Sequence, residues 1–376
     1  MLESLFSANK KPSYSQEDLD ILRLIRSENV GPRTFLSLIQ IFGSASKALD
    51  NIQDFAVRGG RSKPIKLYTK DAAEKELELL YQVSAKMLTY KHHSYPRLLL
   101  QIPDLPPVIS YKGNIDLLEE KLVAIVGARN SSINGKSFTK QIATDLVKNG
   151  ITVVSGLARG IDTAAHLASL PKTVGVIAGG IDHIYPPENA KLFEQMAEEG
   201  LIIAELPVGS VPLAQHFPQR NRIISGISLA TLVIEAGLKS GSLITARLAL
   251  EQNREVFAMP GFPMDPRCHG TNKLIKDGAH VLESVDDVLE HLQVHTTAKL
   301  MERENDAFKP LQIDYSSITP SLRNQVTEAL SSTSIGLESL IDEVKLPIPI
   351  VYTILLELEL AGRISRHPGG RISLVY

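Results

Sequence analysis

Two arginines flank an asparagine in the segment HFPQRNRIISG, which covers residues 216–226. Arg220, Asn221 and Arg222 offer hydrogen-bond donors of fixed geometry and one amide, and the segment contains no carboxylate or thiol. The planar guanidinium group of arginine can form two parallel hydrogen bonds with one phosphate group. The composition of this segment therefore indicates binding of a phosphate-bearing ligand rather than catalysis.

Three further segments combine glycine, hydroxyl side chains and cations. They are GARNSS at residues 127–132, SGLARGID at 155–162 and GLKSGSLITA at 237–246. Each follows an apolar segment and leads into a predicted helix, whose N–H groups and partial positive charge attract anions. A single nucleotide would need about one such loop, whereas a row of loops suits the successive phosphates of a nucleic-acid strand.

Dinucleotide, metal and catalytic sites would each need residues that the sequence does not offer. Arg129 stands where the dinucleotide fingerprint G-x-G-x-x-G needs its second glycine, so we expect no NAD or FAD. Asp162 and His166 have the i, i+4 spacing of two metal ligands, but no third ligand is evident, and Asp162 is interpreted as a helix cap. The pair Cys268-His269 has no partners either. We predict no catalytic residue, no cofactor and no metal.

The elements that must position these loops lie between residues 86 and 295. Apolar segments such as KLVAIV, ITVVS and TVGVIAGG alternate with amphipathic helical segments. Repeated strand–helix–strand units form a parallel sheet that is covered by helices on both faces. We predict an α/β fold with an extended, Rossmann-like, doubly wound and mostly parallel sheet. Ligands of such sheets bind beyond the carboxyl ends of the strands, so all of the loops should share one edge.

Smaller regions flank this domain. We predict a tail over residues 1–14, a helical domain over 15–85, a linker over 296–315 and a winged helix over 316–376. The segment NVGP at residues 29–32 makes the helical domain resemble a helix-hairpin-helix domain. Because it has a single glycine, a plain helical turn is favoured over a phosphate-binding hairpin. Because linkers separate independent domains, few contacts should join the winged helix to the rest of the chain.

The predicted recognition helix of the winged helix, IPIVYTILLELEL, has no side chain that could read base edges. Glu357 and Glu359 are expected to be exposed on it and to repel a phosphate backbone. The basic residues that follow it could contact phosphates without selecting a sequence. The sequence therefore favours a role in protein interaction or in weak backbone contact for this domain.

The composition sets the class of protein. The chain has 376 residues, a formal net charge of −2 and one cysteine. A disulfide framework is impossible, and any basic site must be a local patch. No apolar segment has the length of a signal peptide or of a membrane span, so we expect a cytoplasmic protein.

The motifs resemble the DNA-processing protein A family, known as DprA or Smf. The matching segments are YPRLLLQIPDLPPVISYKGN, VAIVGARNSS, VSGLARGIDTAAH, FPQRNRIISGIS, VIEAGLKSGSLITARLALEQNREVFAMPG and GTNKLIKDGAH. They follow the order typical of the family over about half of the chain, residues 95–280. Ala128 and Ala214–His216 depart from the usual family residues without affecting the cationic positions.

The resemblance implies a non-catalytic protein that binds single-stranded DNA and delivers it to the RecA recombinase in natural transformation. It implies a homodimer without membrane association, a sterile-alpha-motif-like helical domain and a winged helix. It places on the DNA-facing loops the residues Arg129, Ser155, Gly156, Arg159, Arg220, Asn221, Arg222, Lys239, Ser240 and Gly241.

Two alternatives remain. Related Rossmann-like proteins are nucleotide phosphoribohydrolases with an acid-containing PGGxGT loop, and this chain has Glu235 ahead of its own loop EAGLKSGS. A glutamate beside a phosphate-binding loop keeps an enzymatic function open. The second alternative is an adaptor that acts through its terminal domains without binding DNA.

Overall fold

The structure is a computed structural model that describes residues 13–299, 318–367 and 369–375. These residues form two compact units, one made of residues 75–299 and the other of residues 13–74 with 318–375. Most of the predicted tail 1–14 and linker 296–315 lies outside the described residues. Residues 296–299 end a helix. Within the described ranges, no helix combines the length and apolarity needed to span a membrane.

The helices and strands are numbered in chain order. The helices are α1 (Gln16–Arg26), α2 (Pro32–Phe42), α3 (Ala45–Arg58), α4 (Lys70–Gln82), α5 (Ile133–Lys148), α6 (Ile161–Ser169), α7 (Ala190–Glu199), α8 (His216–Gly226), α9 (Gly241–Glu251), α10 (His269–Lys276), α11 (Val285–Lys299), α12 (Pro320–Glu328), α13 (Leu337–Val344) and α14 (Ile348–Leu360). The strands are β1 (Lys86–Thr89), β2 (Val108–Gly113), β3 (Lys121–Val126), β4 (Ile151–Ser155), β5 (Thr173–Gly180), β6 (Leu201–Leu206), β7 (Ala230–Val233), β8 (Glu255–Ala258), β9 (His280–Val281), β10 (Ile335–Gly336), β11 (Ile364–His367) and β12 (Arg371–Leu374).

The first unit is built on a nine-stranded sheet in the order β1-β2-β6-β5-β4-β3-β7-β8-β9. The strands from β3 to β9 run parallel to one another, whereas β1 and β2 pair antiparallel at one edge. The central strands are buried on both faces, which explains their continuous apolar segments. The predicted Rossmann-like, mostly parallel sheet is confirmed.

The order of the strands reverses at β3. Strands β4, β5 and β6 follow on one side of β3, and β7, β8 and β9 follow on the other. Val126 at the end of β3 is the register partner of Val233 at the end of β7, so the loops that leave these strands diverge from one point. This is the topological switch point at which doubly wound sheets commonly bind their ligands.

The second unit joins the two ends of the chain. Helices α1 to α3 form its N-terminal part, and helices α12 to α14 with the sheet β10-β12-β11 form the predicted winged helix. The core of the winged helix includes Val351, Ile354, Leu355 and Leu358 of α14. The three helices and the hairpin are as predicted. The short strand β10 was not predicted.

The expectation that few contacts join the winged helix to the rest of the chain is wrong. Helix α14 packs against α2 and α3 of the N-terminal part. The side-chain amide of Asn29 donates to the carbonyl oxygen of Leu360 over 3.0 Å, and Arg363 donates to that of Gly59 over 3.3 Å. The winged helix therefore contacts the N-terminal helices, although the nine-stranded unit lies between them in sequence.

The expectation that Glu357 is exposed is also wrong. Its side chain is 1 % exposed, and its two carboxylate oxygens accept hydrogen bonds from Arg323 of α12 over 2.6 and 2.9 Å. Arg323 also donates to the carbonyl oxygen of Ile318 over 2.7 Å. Glu359 pairs with Arg366 over 2.9 Å. Both glutamates are therefore paired within the winged helix and do not form an acidic surface.

We predict that Arg323→Leu lowers the free energy of unfolding of the second unit by about 3–5 kcal/mol, because it leaves the buried Glu357 carboxylate without a counter-charge. The double variant Arg323→Leu with Glu357→Leu should recover most of that loss, because it leaves no buried charge. Urea denaturation of the three proteins checks this. A double variant as unstable as the single one would contradict it.

Candidate nucleic-acid interface

The loop between β4 and α6 has a constrained backbone. Leu157 and Gly160 both have positive φ angles, of 54° and 81°. The carboxylate of Asp162 accepts hydrogen bonds from the backbone N–H groups of Gly156 and Ala158 over 3.1 and 3.4 Å. Asp162 was expected to cap helix α6. It lies instead in the first turn of that helix and holds the preceding loop.

His166 fixes the same loop from the next turn of α6. Its Nε2 accepts from the backbone N–H of Leu157 over 3.3 Å, and its Nδ1 lies 2.7 Å from the hydroxyl of Thr173. Burial, aided by the positive charge of Arg220, lowers the pKa of His166 to about 3. The imidazole is therefore neutral at physiological pH and has a structural role. The described residues contain no cluster of side chains that could hold a metal.

Arg220 extends from α8 to this loop. Its Nη1 donates to the carbonyl oxygens of Gly156, over 2.7 Å, and of Val176. A side chain at position 156 would meet Nη1 at 2.3 Å, so glycine is required there. Burial lowers the pKa of Arg220 to about 10, although the charge of Asp162 opposes this shift. The guanidinium is therefore cationic at neutral pH and held in one place.

A pocket of about 260 Å³ opens in front of Arg220. It is formed by the loops after β3, β4 and β5 together with the start of α8. We call it the arginine pocket. Its lining residues are Arg129, Asn130, Gly156, Ala158, Arg159, Ile177, Ala178, Gly179, His183, Tyr185, Pro186, Pro212, Phe217 and Arg220. Three of these side chains are cationic and none is acidic, so the pocket favours an anion.

Two aromatic rings lie beside the arginines. The rings of Tyr185 and Phe217 meet edge to face at 5.6 Å between centroids, and the guanidinium of Arg129 lies 5.3 Å from the centroid of Phe217. Arg159 is paired with Glu188 at the exposed rim. The pocket thus offers guanidinium groups for phosphate and aromatic surface for a planar ring. The sequence interpretation named neither aromatic residue, although Phe217 precedes Arg220 by three positions and so shares its face of α8.

Two of the predicted site residues have structural partners. The Arg222 side chain is 8 % exposed and pairs with Glu205 over 2.6 Å and with Asp104 over 3.5 Å. The hydroxyl of Ser155 is buried and donates to the carbonyl oxygen of Ile125 over 2.6 Å. Neither lines the arginine pocket, and the half-buried Asn221 does not line it either.

Lys239 and Ser240 lie in the loop after β7, on the other side of β3, and Gly241 begins α9. Ser240 caps α9 by accepting from the backbone N–H of Ser242 over 3.4 Å. Lys239 is exposed, and a β-carbon at position 241 would point into open space. These residues form a second possible anion site at the same sheet edge, outside the arginine pocket.

Glu235 fills the topological switch point between these two sites. It is 2 % exposed, and its carboxylate accepts from the backbone N–H and the hydroxyl of Ser132 over 2.8 and 2.5 Å. A β-carbon at position 135 would lie 2.6 Å from the Glu235 carboxyl carbon. The glutamate therefore joins the β7 loop to the start of α5, and it does not line the arginine pocket.

We predict that the free energy of unfolding of the first unit falls as the pH falls below about 6.5, since the unfolded chain binds a proton at His166 that the folded chain excludes down to a pH of about 3. Between pH 7 and pH 5.5 this one group should account for a loss of about 1.2 kcal/mol. The variant His166→Gln should lose that part of the pH dependence. His93→Gln, at an exposed position, should keep it.

Urea denaturation at the two pH values checks this prediction. An unchanged pH dependence in His166→Gln would show that His166 is not excluded from protonation in the folded state.

Comparison with known proteins agrees with this architecture. Residues 86–293 match the family described as DNA recombination-mediator protein A. Residues 15–78 match the DprA-like N-terminal HHH domain, and residues 316–370 match the DprA winged helix domain. The match to an HHH domain agrees with the predicted helix-hairpin-helix-like domain, and residues 29–31 form the turn between α1 and α2.

Individual relatives extend over most of the chain. Protein Smf of Synechocystis is 38 % identical over 325 residues, which are 78 % of this chain and 81 % of that protein. The crystal structure of DprA from Streptococcus pneumoniae has a TM-score of 0.61 at 32 % identity and covers 74 % of this chain and 98 % of that one.

A structure reported for the single-stranded DNA binding mode of DprA from Helicobacter pylori has a TM-score of 0.52 at 31 % identity. It covers 56 % of this chain and 96 % of that one. The three domain matches, in the expected order, and the similarity to Smf over most of its length lead to one conclusion. The chain belongs to the DprA/Smf family of DNA-processing proteins.

Proposed function

We propose that the chain binds single-stranded DNA and that the arginine pocket is the centre of the binding site. The observation that supports this most strongly is the composition of the pocket, which places three guanidinium groups and two aromatic rings together without an acidic side chain. Phosphates and bases are the two chemical groups that such a pocket can bind at once. The DprA from Helicobacter pylori, which shares the fold, binds single-stranded DNA.

The residues of the pocket have different tasks in this proposal. Arg129 and Arg159 lie at the rim and contact phosphates, while the buried Arg220 supplies a fixed positive charge behind the loop backbone. Tyr185 and Phe217 offer ring surface to a base. Because neither phosphate contacts nor stacking distinguish the bases, we expect binding that tolerates many sequences.

In this proposal the bound DNA strand continues along the sheet edge beyond the pocket. We assign Lys239, Ser240 and Gly241 to this continuation, since Lys239 is exposed and the N-terminus of α9 lies directly behind it. Asn221 follows Arg220 on α8, and we assign it to the edge of the site. Arg222 and Ser155 act indirectly, by fixing α8 and the end of β4 through their buried partners.

Further parts of the proposal rest on family membership. We propose that the protein acts in DNA processing during natural transformation, that it loads the RecA recombinase, and that it works as a homodimer in the cytoplasm. We propose that it has no catalytic activity. The position of Glu235 supports this, because both oxygens of its carboxylate accept hydrogen bonds from Ser132 and the residue does not line the arginine pocket.

We predict that Arg129→Ala weakens binding of a single-stranded oligonucleotide at least tenfold, about 1.4 kcal/mol, because it removes a phosphate contact and a cation beside Phe217. The slope of log affinity against log salt concentration should become shallower by about 0.7. Fluorescence anisotropy at several salt concentrations measures both quantities.

Arg247→Ala is the matched control, because Arg247 is exposed on α9, pairs with Glu251 and does not line the pocket. It should bind like the wild type. Equal affinities of the wild type and Arg129→Ala would contradict the assignment of the pocket.

We predict that Lys239→Glu weakens binding of an oligonucleotide of about 25 nucleotides but not of one of about 5, because only the longer strand extends from the arginine pocket to the β7 loop. Lys148→Glu makes the same change in net charge at the end of α5, just before β4 begins, and should have little effect on either. Binding titrations with both lengths test this. A loss confined to the short strand, or no loss at all, would remove Lys239 from the proposed path.

A further inference from the structure

Helix α14 carries apolar residues on two of its faces, and both faces are buried over its C-terminal half. Val351, Ile354, Leu355 and Leu358 face the core of the winged helix. Leu356 and Leu360 follow a different face at i, i+4 spacing, are 1 % and 0 % exposed, and are not part of that core. A helix that is apolar all round is normally enclosed by other elements. Here the second face packs against α2 and α3.

The contact between α14 and the N-terminal helices is close enough to involve the backbone. A β-carbon on Gly59 would lie 2.0 Å from the carbonyl oxygen of Glu357 and 2.9 Å from the β-carbon of Ala361. Gly59 has φ −71° and ψ −4°, a conformation that any residue adopts. Its lack of a side chain is therefore required by the neighbouring helix and not by its own backbone.

Hydrogen bonds reinforce the same contact at the hairpin between α1 and α2. Asn29, which belongs to this hairpin, donates to the carbonyl oxygen at the end of α14, and Gly362 lies close to the Asn29 amide. Arg363 donates to the carbonyl oxygen of Gly59. The hairpin of the HHH domain and the recognition helix of the winged helix are the two elements that could approach DNA in the second unit, and here they meet each other.

The basic residues of the winged-helix hairpin are also occupied. Arg366 pairs with Glu359, Arg371 donates to the backbone and side chain of Ser334, and His367 lies 2.8 Å from the hydroxyl of Ser373. Together with Arg363, these four basic residues of the winged helix have partners within the second unit.

We propose that the partner of the winged helix is the N-terminal helical domain of the same chain. Helix α14 then serves as a docking helix for α2 and α3, and the two terminal domains fold and act as one body. In this arrangement the C-terminal half of the recognition helix is covered by the N-terminal helices and cannot enter a DNA groove. Contact between the two terminal domains is then one function of this winged helix.

The variant Gly59→Val in the full-length chain tests this proposal. Valine is compatible with the backbone at residue 59 but collides with α14, so the docked state should be selectively destabilised. We expect amide hydrogen exchange in residues 353–361 and in the last turn of α3 to accelerate at least tenfold. The control is Gly31→Ala, because no atom lies within 4 Å of a β-carbon at that position. Unchanged exchange of both segments in Gly59→Val would overturn the proposal.

Two additional measurements cover other outcomes. The double variant Asn29→Ala with Arg363→Ala removes two hydrogen bonds without adding bulk, and we expect exchange of the same segments to increase roughly fivefold. Exchange identical to the wild type would again overturn the proposal.

Light scattering should give the same mass for the wild type and Gly59→Val. A dimer that becomes a monomer in the variant would show instead that the helical domain of a second copy occupies α14.

Discussion

The burial of the Arg220 guanidinium between two backbone carbonyls is the interaction on which the candidate site depends. Binding Gly156 and Val176 joins α8 to the loop after β4 and to strand β5, and Asp162 and His166 hold the β4 loop in the shape that accepts the arginine. A buried cation is costly without such partners. The same contacts that stabilise it also fix a positive charge at the carboxyl ends of the strands before any ligand arrives, so less conformational entropy is lost on binding.

The position of the pocket departs from the general rule for doubly wound sheets. The switch point lies between β3 and β7, but Glu235 and Ser132 fill it. The open pocket is displaced toward β4 and β5, and an exposed lysine loop remains on the far side. A carboxylate at the switch point therefore divides the sheet edge into two positive regions. Two separate positive regions suit a DNA strand that crosses several loops better than a single nucleotide bound at one point.

The sequence was sufficient for the sheet, the winged helix and the edge that carries the cationic loops, because apolar periodicity and glycine-ended strands are local features. It did not distinguish Arg220 from Arg222, although positions two apart on a helix point to different sides. Arg222 pairs with Asp104 and Glu205, whereas Arg220 donates to the carbonyl oxygen of Gly156, and these partners are distant in sequence from both arginines. The docking of α14 was missed for the same reason. Gly59, which lies against the carbonyl oxygen of Glu357, is about 300 residues away in sequence.

The central claim is that single-stranded DNA occupies the arginine pocket. Photo-crosslinking of the full-length protein to a single-stranded oligonucleotide with a photoreactive base, followed by mass spectrometry of the crosslinked peptides, tests it most directly. The account predicts crosslinks to the peptides that contain Tyr185 or Phe217, the two rings beside the arginines. Crosslinks found only in residues 13–74 or 318–375 would place the DNA on the second unit and contradict the account.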